Sequence, residues 1–209
     1  MRIRIGLYAA LNLLAWSLGP AHAGLVNPGF ETGDLTGWTT SLSGGTATVI
    51  NDHVGDLGLV YHPPQGNYQL KILGGSANVW QTVSQEVSLT AGERLCGYVG
   101  FDWRDYAPFY DEARVRILDD QLTVLATPWE HDGTTLPDYG DENYEPWSWT
   151  APTTGIFLLE YSARNTVDGI LTSVAVFDTC PEPATLALCL LGALGLIPSL
   201  RKRRTDRIV

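Results

Sequence analysis

The chain has 209 residues, 44% of them hydrophobic, and a formal net charge of −10. That length supports one domain with a sizeable core. The acidic balance argues against nucleic acid or anionic lipid as partner, because both repel an acidic surface, and the three cysteines and four histidines show no Cys-x-x-Cys or His-rich metal spacing.

Residues 1–23 read as a secretory signal peptide. Arg2 and Arg4 give a positive start, residues 5–18 an apolar stretch, and Ala21, His22 and Ala23 the small-x-small cleavage pattern. Cleavage after Ala23 leaves Gly24 at the mature start. An uncleaved anchor helix is the competing reading, and the stretch is short for one.

From residue 24 to 179 the sequence reads as strand after strand. Segments 46–50, 68–73, 83–89, 95–103, 113–118, 122–126, 147–150, 156–162 and 170–177 are rich in β-branched and aromatic residues and are separated by Gly, Pro, Asn or Asp. Alternation assigns faces: Leu95, Val99, Phe101 and Trp103 share one side with Gly97, and Ala113, Val115 and Ile117 lie opposite Arg114 and Arg116. Between the termini no segment repeats with the helical period. The expectation is an all-β sandwich. Within 24–180 six basic residues face 21 acidic ones, a net of −15 that attracts divalent cations as well as keeping the surface soluble.

Two irregular stretches hold the candidate ligand residues. The first, 103–112, carries Tyr106 and Tyr110 in a connection, where rings have less structural reason to be than in strands. The second, 128–146, reads as one long connection with Trp129, Tyr139 and Tyr144 among Asp138, Asp141, Glu142, Asn143 and Glu145. Rings that stack on sugars, flanked by groups that hydrogen-bond hydroxyls, are what a glycan site needs. Calcium binding by the acidic residues of 128–146 is a second reading, although the Asp-x-Asp-x-Asp-Gly order is missing. A solvated acidic loop whose Trp147 and Trp149 cover the core is the third. His53, His62 and His131 are scattered and read as solvated loop residues, and with no Gly-x-Ser-x-Gly elbow the chain is not expected to be an enzyme. Cys96 and Cys180 would meet an oxidising compartment and form a candidate disulfide.

The chain closes with Pro181, Glu182 and Pro183, a charge-free apolar run over 184–200, and a basic tail over 201–209. At about 1.5 Å per residue the run spans roughly 25 Å as one transmembrane helix, with the basic cluster on the cytoplasmic side. Residues 180–209, in this order, resemble the PEP-CTERM sorting signal of exopolysaccharide-producing Gram-negative bacteria. That resemblance implies an exosortase as processing partner, an inner-membrane-anchored precursor, and a product at the cell surface or in the extracellular matrix.

A second resemblance concerns 24–179. The opening Leu25, Val26, Asn27, Pro28, Gly29, Phe30 and Glu31, then Gly33, Asp34, Leu35, Thr36, Gly37 and Trp38, looks like the start of galactose-binding-like jelly rolls, the fold of many carbohydrate-binding modules. Later segments, from Tyr68 through Trp103 to Val174, Ala175, Val176, Phe177 and Asp178, are similar to its successive strands. The resemblance implies a jelly-roll β-sandwich and nominates Glu31 and Asp178 as ligands of a structural calcium ion. Three functions follow in order: binding of carbohydrate such as exopolysaccharide, a structural role in matrix or biofilm without a small ligand, and last a polysaccharide hydrolase, for which no carboxylate pair stands out.

Overall fold

The computed structural model describes residues 24–180. Ala21 and Ala23 of the cleavage pattern, Pro181, Glu182 and Pro183, the apolar span 184–200 and the basic tail lie outside the described residues. Among the described residues the regular elements are all strands. Two short ones open the chain, β1 (Thr39–Ser41) and β2 (Thr46–Ile50), followed by a two-stranded ribbon of β3 (His53–Val54) and β4 (Val60–Tyr61). Eight further strands then run β5 (Gln69–Leu73), β6 (Gln81–Leu89), β7 (Arg94–Asp102), β8 (Glu112–Leu118), β9 (Val124–His131), β10 (Asp141–Thr150), β11 (Gly155–Arg164) and β12 (Val174–Thr179).

Their pairing has one rule. β8 pairs with β9, β7 with β10, β6 with β11 and β5 with β12, all antiparallel, so β5–β8 is a strip folded back on β9–β12. Rolling that strip brings β11 to β8 and β12 to β7. The result is a jelly roll of two sheets, and β1 and β2 extend one edge of each to give orders β1-β6-β11-β8-β9 and β10-β7-β12-β5-β2.

Alternating residues from both sheets fill the space between them. Tyr161 lies at the centre, stacked on Trp38 at 5.6 Å and on Phe177 at 4.7 Å, with its hydroxyl 2.6 Å from Thr179 Oγ1. Leu70, Ile72, Val83, Val99, Phe101, Val115, Ile117 and Leu159 surround it and are fully buried, each side chain contributing about 1.5–3 kcal/mol by leaving water. The inward faces assigned to Leu95, Val99, Phe101 and Trp103, and to Ala113, Val115 and Ile117, are the buried ones.

A second, smaller apolar cluster lies outside the sandwich. The β3–β4 ribbon lays Tyr61 over Val174 and Val176 on the outer face of β12, and the Tyr61 hydroxyl donates to the carbonyls of Phe101 and Glu142, both at 3.0 Å. Gly100 makes this approach feasible, since a Cβ there would stand 2.5 Å from the Tyr61 ring.

One expectation is corrected. The connection read over 128–146 spans only 132–140, because β9 runs through Pro128, Trp129, Glu130 and His131 and β10 begins at Asp141. Both strands are sheet edges, where a proline leaves no ladder bond unmade on its open side, and irregular pairing accompanies both. Prolines that resemble loop punctuation therefore sit inside strands. β1, β3 and β4, at two or three residues each, are too short to display alternation.

Candidate functional site

The loops at one end of the sandwich carry an aromatic rim. Tyr106 and Tyr139 belong to connections far apart in sequence, yet their rings lie 6.1 Å apart, and Phe109 meets Tyr106 edge-on at 5.2 Å. Each tyrosine keeps 39% of its surface exposed. The two loops are tied together: the Tyr139 N–H donates to the Asp105 carbonyl at 2.7 Å, the Ala107 N–H to Asp138 Oδ1 at 3.1 Å, and the Trp103 N–H to the Gly140 carbonyl at 2.9 Å. Tyr139 takes a left-handed φ of 61°, uncommon for a residue with a side chain, so these contacts hold a strained residue with its ring outward.

The other ring candidates lie elsewhere. Tyr110 stacks on buried Trp103 at 5.5 Å and packs against the core. Trp129 is only 7% exposed, faces the core from β9, and donates its indole N–H to Glu145 Oε2 at 2.6 Å. Tyr144 is half-buried on β10, edge-on to Tyr61 at 5.7 Å with its hydroxyl on Gln69 Oε1. The structure thus brings together Tyr106 and Tyr139, turns Tyr110 onto Trp103, and sends Trp129 and Tyr144 to separate sheets.

A groove of about 590 Å³ crosses the outer face of β8, β9 and β11 next to these loops, lined by Glu112, Arg114, Glu130, His131, Asp132, Thr135 and Arg164. Rim and groove share the 132–140 connection. The Arg114 guanidinium lies 3.5 Å above the Trp80 ring and that of Arg164 4.6 Å. Arg164 forms a two-pronged pair with Glu112 at 2.8 and 3.0 Å, and Arg116 meets Glu160 at 2.7 Å. Burial, with Arg116 adding to it, pushes Arg114 down to about 10. Sequence reading placed Arg114 and Arg116 outward but had no signal for Trp80, which precedes β6 and joins the arginines only through the fold.

Glu31 and Asp178 do converge. The Glu31 carboxylate accepts the N–H groups of Asn67 at 2.9 Å and Tyr68 at 3.0 Å, and Asp178 Oδ2 accepts the Gln65 N–H at 2.9 Å. Gly29 lies between them, since a Cβ there would be 3.5 Å from Asp178 Oδ1 and 3.8 Å from Glu31 Cγ. Asp178 Oδ1 is buried without a donor, and burial pushes this carboxyl up to about 7, with the Glu31 charge contributing. An orphaned carboxylate oxygen beside a second carboxylate suits an oxygen-ligated cation such as calcium. No three acidic, His or Cys side chains gather into a metal-holding group among the described residues, so backbone carbonyls would complete the shell.

Two further sites complete the inventory. His53, expected in solvent, is 5% exposed and pairs through Nε2 with Asp102 Oδ2 at 2.7 Å. Buried under the ribbon, this pair clamps β3 to β7. Cys96 and Cys180 are free thiols on neighbouring segments, and the Cys180 N–H donates to the Cys96 carbonyl at 2.9 Å. Burial and the facing Cys96 push the Cys180 thiol up to about 12.

Strand order and core define a jelly-roll β-sandwich. No protein-family model matches the sequence, and no curated protein matches it. Among solved structures, the enzymatically active domain of tailspike protein 4 from Bacteriophage CBA120 is similar over 78% of this chain, at 14% identity and a TM-score of 0.44; the chain spans 22% of that domain. TmCBM61, solved in complex with beta-1,4-galactotriose, is similar over 76% of this chain and 99% of its own, at 17% identity and a TM-score of 0.43. The K3 cleaved adhesin domain of Lys-gingipain from Porphyromonas gingivalis w83 is similar over 75% of this chain and 97% of its own, at 15% identity and a TM-score of 0.49.

Proposed function

We propose that this chain is an exported β-sandwich that binds carbohydrate at the Tyr106–Tyr139 rim and the adjoining groove, acting by binding and not by turnover. The observation that carries the reading is the pair of exposed rings, 6.1 Å apart, contributed by two loops that hydrogen bonds lock together. Rigid rings lose little side-chain freedom on binding, and Glu112, Glu130 and Asp132 in the groove are acceptors for sugar hydroxyls. The polysaccharide partner is an exopolysaccharide at the cell surface or in the matrix. An exosortase delivers the protein there after acting at Pro181, Glu182 and Pro183 of an inner-membrane precursor. Calcium held by Glu31 and Asp178 would join the opening loop to the last strand and stabilise the sandwich.

The test is a titration of the purified full chain with a panel of neutral and acidic polysaccharides, followed by calorimetry. Saturable binding heat with at least one member is the expected result. Flat titrations across the panel sink the reading.

A further inference from the structure

The groove holds a cation whose hydrogen-bonding capacity is unmet. A guanidinium stacked on an indole offers its face to the ring and keeps its in-plane N–H fork for acceptors. Arg164 directs that fork to Glu112, and Arg116 meets Glu160. Arg114, stacked closest to Trp80, forms no ion pair with any described residue, and its Nε is buried without an acceptor. Leaving a buried donor of a charged group unpaired is unfavourable, more so than for a neutral one. Arg116 and Arg164 repel Arg114, while the charges of Glu160 and Glu130 act in the opposite direction without closing on it as ion pairs. Two of the six basic residues of 24–180, Arg114 and Arg164, line this groove of an otherwise acidic domain.

We propose that the groove recognises a carboxylate-bearing glycan, a polysaccharide of uronate type, with the two terminal amino groups of Arg114 gripping the carboxylate and Trp80 as the backing plate of the guanidinium. This rests on the reading that the domain binds carbohydrate and names the charge class of the sugar. A two-oxygen anion matches the planar fork. The acidic wall of Glu112, Glu130 and Asp132 selects against a dense polyanion. A uronate chain satisfies both, because its isolated carboxylates are separated by neutral hydroxyls that donate to those acidic side chains.

The experiment compares binding of the full chain to polygalacturonate, to its methyl ester and to polyphosphate, by calorimetry at fixed ionic strength. Wild type is expected to bind polygalacturonate at least tenfold more tightly than the ester. Arg114→Gln should reduce polygalacturonate affinity to the ester level, and Arg114→Lys, which keeps charge but loses the fork, should fall between. A cooperative unfolding transition retained in both variants verifies that they are folded, since Arg114→Gln removes only the stack on Trp80. Equal affinity for acid and ester, or a preference that survives Arg114→Gln, overturns the proposal while leaving carbohydrate binding intact. Polyphosphate binding as tight as polygalacturonate overturns it in favour of a general anion site. Absence of binding to all three probes overturns it, while the carbohydrate reading itself falls only with flat titrations across the whole polysaccharide panel.

Discussion

His53 Nε2 meets Asp102 Oδ2 at 2.7 Å beneath the β3–β4 ribbon, and Lys71 Nζ reaches the opposite ring nitrogen at 3.3 Å. Arg104 also binds Asp102 Oδ2 at 2.7 Å, and the Asp56 N–H donates to Oδ1 at 3.3 Å, so one buried carboxylate ties the ribbon to β7 and the segment after it. The His53 and Arg104 hydrogen bonds hold Asp102 below the ordinary carboxylate range against the opposing effect of burial.

Removing that carboxylate leaves cations without a counter-charge. Asp102→Ala should destabilise the fold by about 3–5 kcal/mol in urea unfolding, as for other buried pairs deprived of one partner. His53→Ala, which leaves Arg104 on Asp102, should cost less. A loss below about 1 kcal/mol for Asp102→Ala would contradict the clamp.

Asp178 gives the pH dependence a definite sign. Its carboxyl titrates near 3.8 when unfolded and about 7 when folded. Between those values the folded state binds the extra proton, so stability falls as pH rises and the loss is complete above about 7. Asp111, pushed up to about 6 mainly by burial, acts in the same direction. Thermal unfolding should show this fall, and Asp178→Asn should shrink it. If calcium occupies the corner, added calcium should raise the midpoint at pH 8 far more than at pH 5, and not at all in Asp178→Asn.

The sheet framework was legible in the sequence wherever a strand was long enough to alternate, as Ala113, Val115 and Ile117 against Arg114 and Arg116 illustrate. The convergence of Glu31 and Asp178 was legible only through resemblance. Trp129 and His53 were misjudged for one reason: each looked like a loop residue beside Pro, Gly or Asp, and its burial depends on a partner from elsewhere, Glu145 on β10 and Asp102 on β7. Trp80 left no local trace, because its arginine partners lie on β8 and β11.

Cys96 and Cys180 face each other across neighbouring segments. Exported protein should carry them as a disulfide, which removes chain entropy from the unfolded state worth about 4.5 kcal/mol for a loop of this length. A reductant should lower the urea midpoint of wild type and leave Cys96→Ser unchanged; two titratable thiols in exported, unreduced protein would contradict the pairing.

Replacing Pro181, Glu182 and Pro183 with alanine tests the sorting reading independently of the sandwich. The expected outcome on immunoblots of fractionated cells is an unprocessed precursor in the membrane. Normal maturation of the variant would indicate a plain anchor.

Glycan affinity of Tyr106→Ala and Tyr139→Ala, measured on the full chain against the best ligand of the panel, bears most directly on the central claim. Both rings are exposed and outside the core, so each variant should keep its unfolding midpoint and lose at least tenfold in affinity, about 1.4 kcal/mol. Undiminished affinity in both variants would contradict the claim that this rim is where the protein meets its polysaccharide.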